Sequence, residues 1–490
     1  MANDEDVRWA RAFLSHEAIA SYDRSPGATS YQHSAEALRR VIRSGLLRFT
    51  DLRDRPRRFF DAHRLLATRV LGGFGIRFTV QFNLFAGSVL GLGTPEQVAM
   101  LEDFQRAGSL GCFALTEVGA GVSSGLVVET TATYDVARGG FRLRTPNARA
   151  AKNWISQGLT AEWCVVMADL ILPSGGRGGH FGPHPFLMRL RDGPGGALVR
   201  GVTAEDMGGK TVANDLDNAR LSFGEGCFLA RGALLGRFCA VHADGTYESR
   251  APNGASRLKI EVIGQRLLTG RLCIASAALV ATRVLFARTR VYTDARRVAG
   301  QDGAKGECMT TLPQVADLYA RTDATLARME RFCAAVETEL EAHLKKGTTP
   351  PDALVEAIGV AKIRAVRAGI EAAHKLKHEV GSFALMRAAD GERDSVHGDT
   401  DLLWCCKFAE GDSRILLQKI ARDRLKRAAK GGVVGMLGEL VAGGAEGRSA
   451  LALARRLQGD GADLAAWHRA WVDVYALAET VCDRHIASRL

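Results

Sequence analysis

The stretch Trp404-Cys-Cys-Lys-Phe-Ala-Glu-Gly-Asp-Ser413 places one carboxylate, Glu410, after a run of bulky and soft apolar residues and just ahead of a helix start. Asp412 or Ser413 can cap that helix, and Arg414-Ile-Leu-Leu-Gln-Lys-Ile-Ala-Arg422 supplies apolar residues at helical spacing. Two opposed influences act on a carboxylate in such a place. Apolar neighbours raise its pKa, whereas a helix N-terminus and nearby cations lower it. A carboxylate balanced in this way suits general-base work near neutral pH. The same residues also fit a solvated loop carboxylate beside an ordinary cap.

Three other segments carry chemical potential. In Gly111-Cys-Phe-Ala-Leu-Thr-Glu-Val-Gly-Ala-Gly121 a strand ends at Thr116-Glu117 and runs into a glycine-rich turn. Exposed N–H groups of such a turn can hold phosphate or polar ring atoms, and Thr116 adds a hydroxyl. The pattern is not Gly-x-Gly-x-x-Gly and opens no helix, which argues against a Rossmann site. In Ala151-Lys-Asn-Trp-Ile-Ser-Gln-Gly158, Trp154 and Ser156 are two apart on a strand and so share one side. An indole that stacks beside a hydroxyl that hydrogen-bonds suits a flat heteroaromatic ring. The cluster Arg288-Thr-Arg-Val-Tyr-Thr-Asp-Ala-Arg-Arg297, with Arg290 inside it, can grip a pyrophosphate or simply complement a helix C-terminus. A plain turn and a core tryptophan are the ordinary accounts of the first two. There is no nucleophile elbow, Walker loop or triad-like context. His374 and His378 stand four apart on a helix without an accompanying carboxylate motif, so no metal site is expected.

A chain of 490 residues implies two or three domains or one multi-lobed subunit. Apolar content of 47% and charged content of 24% are those of a soluble globular protein. The net charge of +11 and pI near 9.3 favour polyanionic partners, among them nucleic acid, acidic lipid and phosphate-bearing cofactors. The cations are interspersed with acids along helices, apart from the basic region 422–430, and no nucleic-acid motif accompanies them. Ten scattered Cys, without Cys-x-x-Cys, read as free thiols of a reducing compartment. The apolar run 272–287 is broken by Thr282 and Arg283, which points to a buried helix and not a membrane span. The acidic beginning has neither secretory nor transit-peptide character. Ser488-Arg489-Leu490 is a close variant of the Ser-Lys-Leu peroxisomal address.

The elements that must position these residues change in type along the chain. Residues 1–110 read as helical, with periodic segments at 35–48 and 57–70, a buried helix–turn–helix at 72–92, and a helix opened by Pro95 with Thr94 as cap. Residues 111–240 have short β-branched segments at 127–134, 141–144, 163–168, 185–190 and 219–223, with a Gly-Gly hairpin turn before Phe141. These predict a small β-barrel or sandwich. Residues 255–430 contain long helical segments at about 261–297, 313–346, 351–388 and 413–430, which predict a four-helix bundle. A glycine-rich linker and two short helices fill 431–490. The fold class is therefore α+β, mainly α.

Further segments complete the picture: Glu129-Thr-Thr-Ala-Thr-Tyr-Asp135, Gly182-Pro-His-Pro-Phe-Leu-Met188, and Asp206-Met-Gly-Gly-Lys-Thr-Val-Ala-Asn-Asp-Leu-Asp-Asn-Ala219. Together with Gly111–Gly121, Lys152–Ser156 and Lys407-Phe-Ala-Glu-Gly-Asp412, they resemble the acyl-CoA oxidase and dehydrogenase superfamily, and its oxidase branch in particular. The matches are collinear over about 72–430. The resemblance implies an N-terminal helical domain, a middle β-domain, a dehydrogenase-like four-helix bundle, and FAD between the last two, completed by a second subunit. It implies that Glu410 is the catalytic base, aided by its own backbone N–H and an FAD hydroxyl at the thioester carbonyl. It also implies FAD contacts from Thr116, Gly121, Trp154 and Ser156, with an arginine near Arg290, the Gly381 turn and Asp412 elsewhere on the cofactor. The implied partners are an acyl-CoA, O₂, a second copy in a homodimer, and an import receptor that takes Ser488-Arg489-Leu490 into the peroxisome. The alternatives are a dehydrogenase that passes electrons to an electron-transfer flavoprotein, and a non-catalytic scaffold that keeps the fold. Three departures stand out: Val380-Gly-Ser-Phe-Ala384 in place of Gly-Gly-x-Gly, Val122-Ser-Ser-Gly125 in the flavin loop, and only a remnant after 431 of the second helical domain of long oxidases.

Overall fold

The computed structural model describes residues 4–22, 30–69, 72–121, 124, 127–173, 179–251, 260–299, 305–386, 395, 397–430, 444–460 and 463–490. They divide into two compact units. One comprises Met1–Cys273, Leu344–Thr348 and Gly381–Leu402; the other comprises Ile274–His343, Thr349–Val380 and Leu403–Leu490. The fold is α+β and mainly α. The linker expected after 431 and most of the Val122–Gly125 departure lie outside the described residues.

In the first unit, apolar periodicity becomes the helices Tyr31–Ser44, Pro56–Arg69 and Pro95–Ala107. Thr94 caps the last of these as expected. Its hydroxyl accepts the Gln97 N–H, and the Gln97 side chain accepts the Thr94 N–H. The expected helix–turn–helix at 72–92 is instead helical throughout, with a wide π turn, Val80–Phe85, between Gly73–Thr79 and Ala86–Leu92. The turn aims Gln81 at the start of the sheet, where it accepts the Gly111 N–H at 2.8 Å and donates to the Ser109 carbonyl at 3.1 Å. Gly111 is required there: a Cβ on it would lie 2.2 Å from the Phe85 ring.

The same unit contains the β-structure. Trp163–Ile171 is the centre of a six-stranded sheet. Gly111–Ala114 and Thr131–Asp135 lie parallel to it along one edge, and His180–Arg189 lies antiparallel along the other. The Gly-Gly hairpin forms as expected, with Asp135 opposite Gly140 and Gly139 at φ 65°. A second sheet has the order Lys152–Ser156, Asn218–Phe223, Val202–Asp206. The strand expected from 127 begins only at Thr131. The Glu129 and Thr130 N–H groups are taken by the Glu117 carboxylate and not by a ladder.

The second unit is helical. Its long helices are Pro313–Lys346, Asp352–Val380, Ser413–Lys430 and the part of Ile260–Ala295 beyond Cys273. Gly369 lets two of them approach closely: a Cβ there would lie 2.7 Å from Thr282 Oγ1. The helix expected to reach 388 stops at Val380, because Gly381 turns left-handed at φ 60° and a short 3-10 turn, Gly381–Leu385, follows. Within the Ile260–Ala295 helix, Leu267–Ala295 is long and apolar enough to cross a membrane, with mean hydropathy 1.5. Over half of that window, 56%, is buried in the fold, as a core helix would be. The C-terminal helices Gly444–Asp460, Leu464–Arg469 and Trp471–Ala487 pack on this body. His485 Nε2 donates to Glu356 at 2.7 Å, and Arg427 contacts the other Glu356 oxygen. Burial works against the Glu356 carboxylate, but these two partners hold its pKa below the usual value.

Candidate active site

In the first unit, residues 116–119 run antiparallel to 149–153. Asn153 N–H donates to the Thr116 carbonyl at 2.8 Å, Val118 N–H to Ala151 at 2.9 Å, and Gly119 N–H to Arg149 at 2.8 Å. Alternation sends Glu117 inward and turns Thr116 and Val118 the other way. Beneath this ribbon, Lys152 Nζ meets Glu117 Oε1 at 2.8 Å with both side chains at 0% exposure. Glu117 also accepts the Glu129 N–H at 2.7 Å and the Thr130 N–H at 3.0 Å. Burial pushes the pKa of the Lys152 ammonium down and Glu117 restores part of it, leaving a net lowering. One buried carboxylate thus ties the glycine-rich loop, the Trp154 strand and the start of the hairpin together.

The strand that carries Trp154 and Ser156 is irregular. The pairing with Asn218–Phe223 shifts register between Lys152 and Ile155, and Trp154 sits left-handed at φ 59°. Its N–H approaches Met207 Sδ at 3.3 Å, and the residue is 56% exposed. The structure thus holds this tryptophan out of the core, in a conformation that non-glycine residues seldom adopt. Ser156 is half-buried, and its hydroxyl accepts from Asn218 Nδ2 at 3.2 Å. Gly121 is exposed at the end of the loop, its N–H bonded to Ser124 Oγ at 3.0 Å. Thr116, Trp154 and Ser156 are therefore brought together on this unit. Gly381 belongs to the same unit and forms its left-handed turn there.

Ahead of Glu410, the chain is itself a helix, Asp401–Phe408, most of which belongs to the second unit. Trp404 and Phe408 stand one turn apart on it, both exposed, with ring centroids 6.4 Å apart. The helix ends in a sharp turn with Glu410 at φ 56° and Gly411 at φ 98°. Asp412 caps the next helix as expected: Oδ1 accepts the Arg414 N–H at 2.7 Å, and its carboxylate pairs with the Arg414 guanidinium. Burial, with Cys405 adding to it, pushes the Cys406 thiol up to about 12. Arg290 is exposed on its own helix, 3.7 Å from Asp294, with its guanidinium over the Tyr319 ring at 5.4 Å. His374 and His378 pack ring against ring at 5.3 Å. Among the described residues, no group of three or more His, Cys, Asp or Glu could hold a metal ion.

Sequence reasoning missed four supporting residues: Glu117, Lys152, Met207 and Lys362. The first three sit inside segments already singled out, where their neighbours carry the more obvious chemistry. Lys362 had a visible signal, a lone cation in Ala-Ile-Gly-Val-Ala-Lys-Ile363 on an apolar helix. A lysine on a buried helix face is uncommon without partners.

No family model matches the chain. A peroxisomal acyl-coenzyme A oxidase 2 of Arabidopsis thaliana is 28% identical over 407 residues, 79% of this chain and 55% of that protein. The chain thus spans about half the length of the curated relatives it matches. Acyl-CoA oxidase 3 of Yarrowia lipolytica superposes with a TM-score of 0.76 at 19% identity, covering 99% of this chain and 75% of that one. Acyl-CoA oxidase 2 of Caenorhabditis elegans, solved with FAD, ascaroside-CoA and ATP, gives 0.75 at 21% identity, covering 99% and 76%. In sequence over three quarters of its length the chain is similar to acyl-CoA oxidases, and in fold it is similar to them over nearly all of it.

Proposed function

We propose that this protein is an FAD-dependent acyl-CoA oxidase: acyl-CoA and O₂ give trans-2-enoyl-CoA and H₂O₂. The observation that carries this reading is Glu410. Its carboxylate stands in a left-handed turn between two helices, where the neighbouring Asp412 is occupied as a cap, in a chain similar to acyl-CoA oxidases. The residues present fit FAD chemically. Trp154 offers an exposed indole face, Thr116 an exposed hydroxyl on the neighbouring ribbon, and 119–121 a loop of small residues that leaves room for a ring system. When bound, FAD supplies the acceptor for the β-hydride and passes the two electrons to O₂.

The chain's own residues do the rest. Thr116, Gly121, Trp154 and Ser156 bind and orient the ring system, while the Gly381 turn, Asp412 and an arginine near Arg290 serve other parts of the cofactor. Glu410 removes the α-proton of the acyl thioester. That proton is weakly acidic, so the developing enolate oxygen needs donors, and the Glu410 N–H is one of them. We assign residues 1–110 as the N-terminal helical domain, 111–240 as the β-domain, 255–430 as the bundle and 431–490 as an extension. The protein works as a homodimer, and Ser488-Arg489-Leu490 is read by the peroxisomal import receptor. The peroxisomal naming of the relatives supports that location.

The test is H₂O₂ release in air from butyryl-, octanoyl- and palmitoyl-CoA, with wild type and Glu410→Gln. The wild type should release H₂O₂ with at least one of them. Glu410→Gln should keep the flavin absorbance and lose turnover by about a hundredfold or more, within the range of general-base contributions. Turnover that needs an artificial acceptor would identify a dehydrogenase. A purified protein without visible flavin absorbance would identify a scaffold.

A further inference from the structure

Lys362 lies within the helix Asp352–Val380, and none of it reaches solvent. A buried ammonium is tolerated where its donors are met. Here it donates to the Lys407 carbonyl at 2.7 Å, the Gly411 carbonyl at 2.8 Å and the Ser413 hydroxyl at 3.2 Å. The acceptors flank Glu410 on both sides: the end of one helix, the residue just after Glu410, and the first residue of the next helix. The Ser413 hydroxyl reaches the same Lys407 carbonyl at 3.3 Å, closing the loop around the ammonium. Glu410 is held left-handed inside this clamp, a conformation that persists only where the surroundings enforce it.

We propose that Lys362 is the positioning residue of Glu410. Its ammonium locks the turn that aims the carboxylate, and its charge favours the ionised form of that carboxylate. These three acceptors are neutral oxygens, two backbone carbonyls and a hydroxyl. The other charged and titratable groups nearby act differently. Asp412 and Arg414 pair with each other, the Lys407 ammonium sits over the Trp404 ring at 4.6 Å, and burial keeps the Cys406 thiol protonated near neutral pH. Farther along the Lys362 helix, Glu356 is engaged by His485 and Arg427. The proposal rests on the reading of Glu410 as the base.

The experiment follows anaerobic flavin reduction in the full-length holoprotein, with octanoyl- or palmitoyl-CoA, as a function of pH. Lys362→Met should retain flavin and change KM by only a few fold. Its limiting reduction rate should fall about a hundredfold, the scale of a misplaced base. The acid limb of its pH profile should move up by about one unit, because a carboxylate that loses a neighbouring cation becomes harder to ionise. Lys362→Arg, which restores the charge, should return the limb to its original place with part of the rate. Ser413→Ala should slow reduction a few fold and move the limb in the same direction. A Lys362→Met holoprotein with wild-type rate and pH profile overturns the proposal. So does a loss of rate without movement of the limb. If Lys362→Met yields no holoprotein, Ser413→Ala decides, and a wild-type rate and profile in that variant overturn the proposal. Glu410→Gln separates the two levels: full reduction in that variant removes the base reading itself, whereas its inactivity beside a normal Lys362→Met removes only the clamp.

Discussion

Replacing Lys152 with Met tests how the Thr116–Gly121 loop is held. Both Lys152 and Glu117 are wholly excluded from water, so the substitution leaves a carboxylate in the interior without its cation. Breaking a buried pair from one side costs about 3–5 kcal/mol. Glu117 keeps the N–H groups of Glu129 and Thr130 as donors, which puts the expected loss near the lower figure, about 3 kcal/mol. Glu117→Gln should cost a similar amount, since the amide can satisfy only one of those two N–H groups while the Lys152 ammonium loses its counter-charge. The double variant should be less destabilised than the sum of the singles by about 1.5 kcal/mol or more, because neither charge is then stranded. The assay is urea unfolding followed by intrinsic fluorescence, with flavin content measured on the same samples. Flavin should be lost from Lys152→Met at lower urea than global unfolding requires, since the loop loosens first. Additivity of the two single effects within about 0.5 kcal/mol would refute the coupling of this pair.

Two further predictions concern the scaffold. His63 is buried, donates from Nδ1 to the Phe59 carbonyl at 2.8 Å, and lies among the rings of Phe59 and Phe78; burial lowers its pKa from 6.5 to about 4. The unfolded chain takes this proton near pH 6.5 while the fold refuses it until about pH 4, so its stability contribution is complete above 6.5 and declines as pH falls towards 4. Between about pH 6.5 and 5 this amounts to about 2 kcal/mol, and His63→Phe should flatten that part of the urea-midpoint profile; an unchanged slope would contradict a neutral His63. Gly369→Ala should cost about 1–3 kcal/mol, because its Cβ would lie 2.7 Å from Thr282 Oγ1, and Thr282→Ala in the same chain should recover most of the loss in thermal unfolding.

Much of the chain was legible in its residue pattern. The long helices, the Gly-Gly hairpin and the Thr94 cap follow from periodicity and local hydrogen-bond chemistry, which act over a few residues. Ends were less legible where a distant partner decides them. The strand at Thr131 starts late because Glu117, on a separate segment, takes the donors at Glu129 and Thr130. The π turn at Val80–Phe85 accompanies the bond from Gln81 to Gly111, a contact between separate elements.

The candidate site divides along the same line. Residue type and order, read together with the family resemblance they carry, marked Thr116, Trp154, Ser156, Glu410 and Asp412 as the residues with chemistry to offer, since acid, hydroxyl and indole are properties of the side chain itself. Tertiary structure decided how they are held. Trp154 sits at a bulge within its strand, Glu117 and Lys152 anchor the loop beneath Thr116, and Lys362 bridges the two ends of the turn that carries Glu410. The two anchors depend on a buried charge meeting partners far away in the chain. The strength of that pairing comes from the exclusion of water, which exists only once the chain has folded.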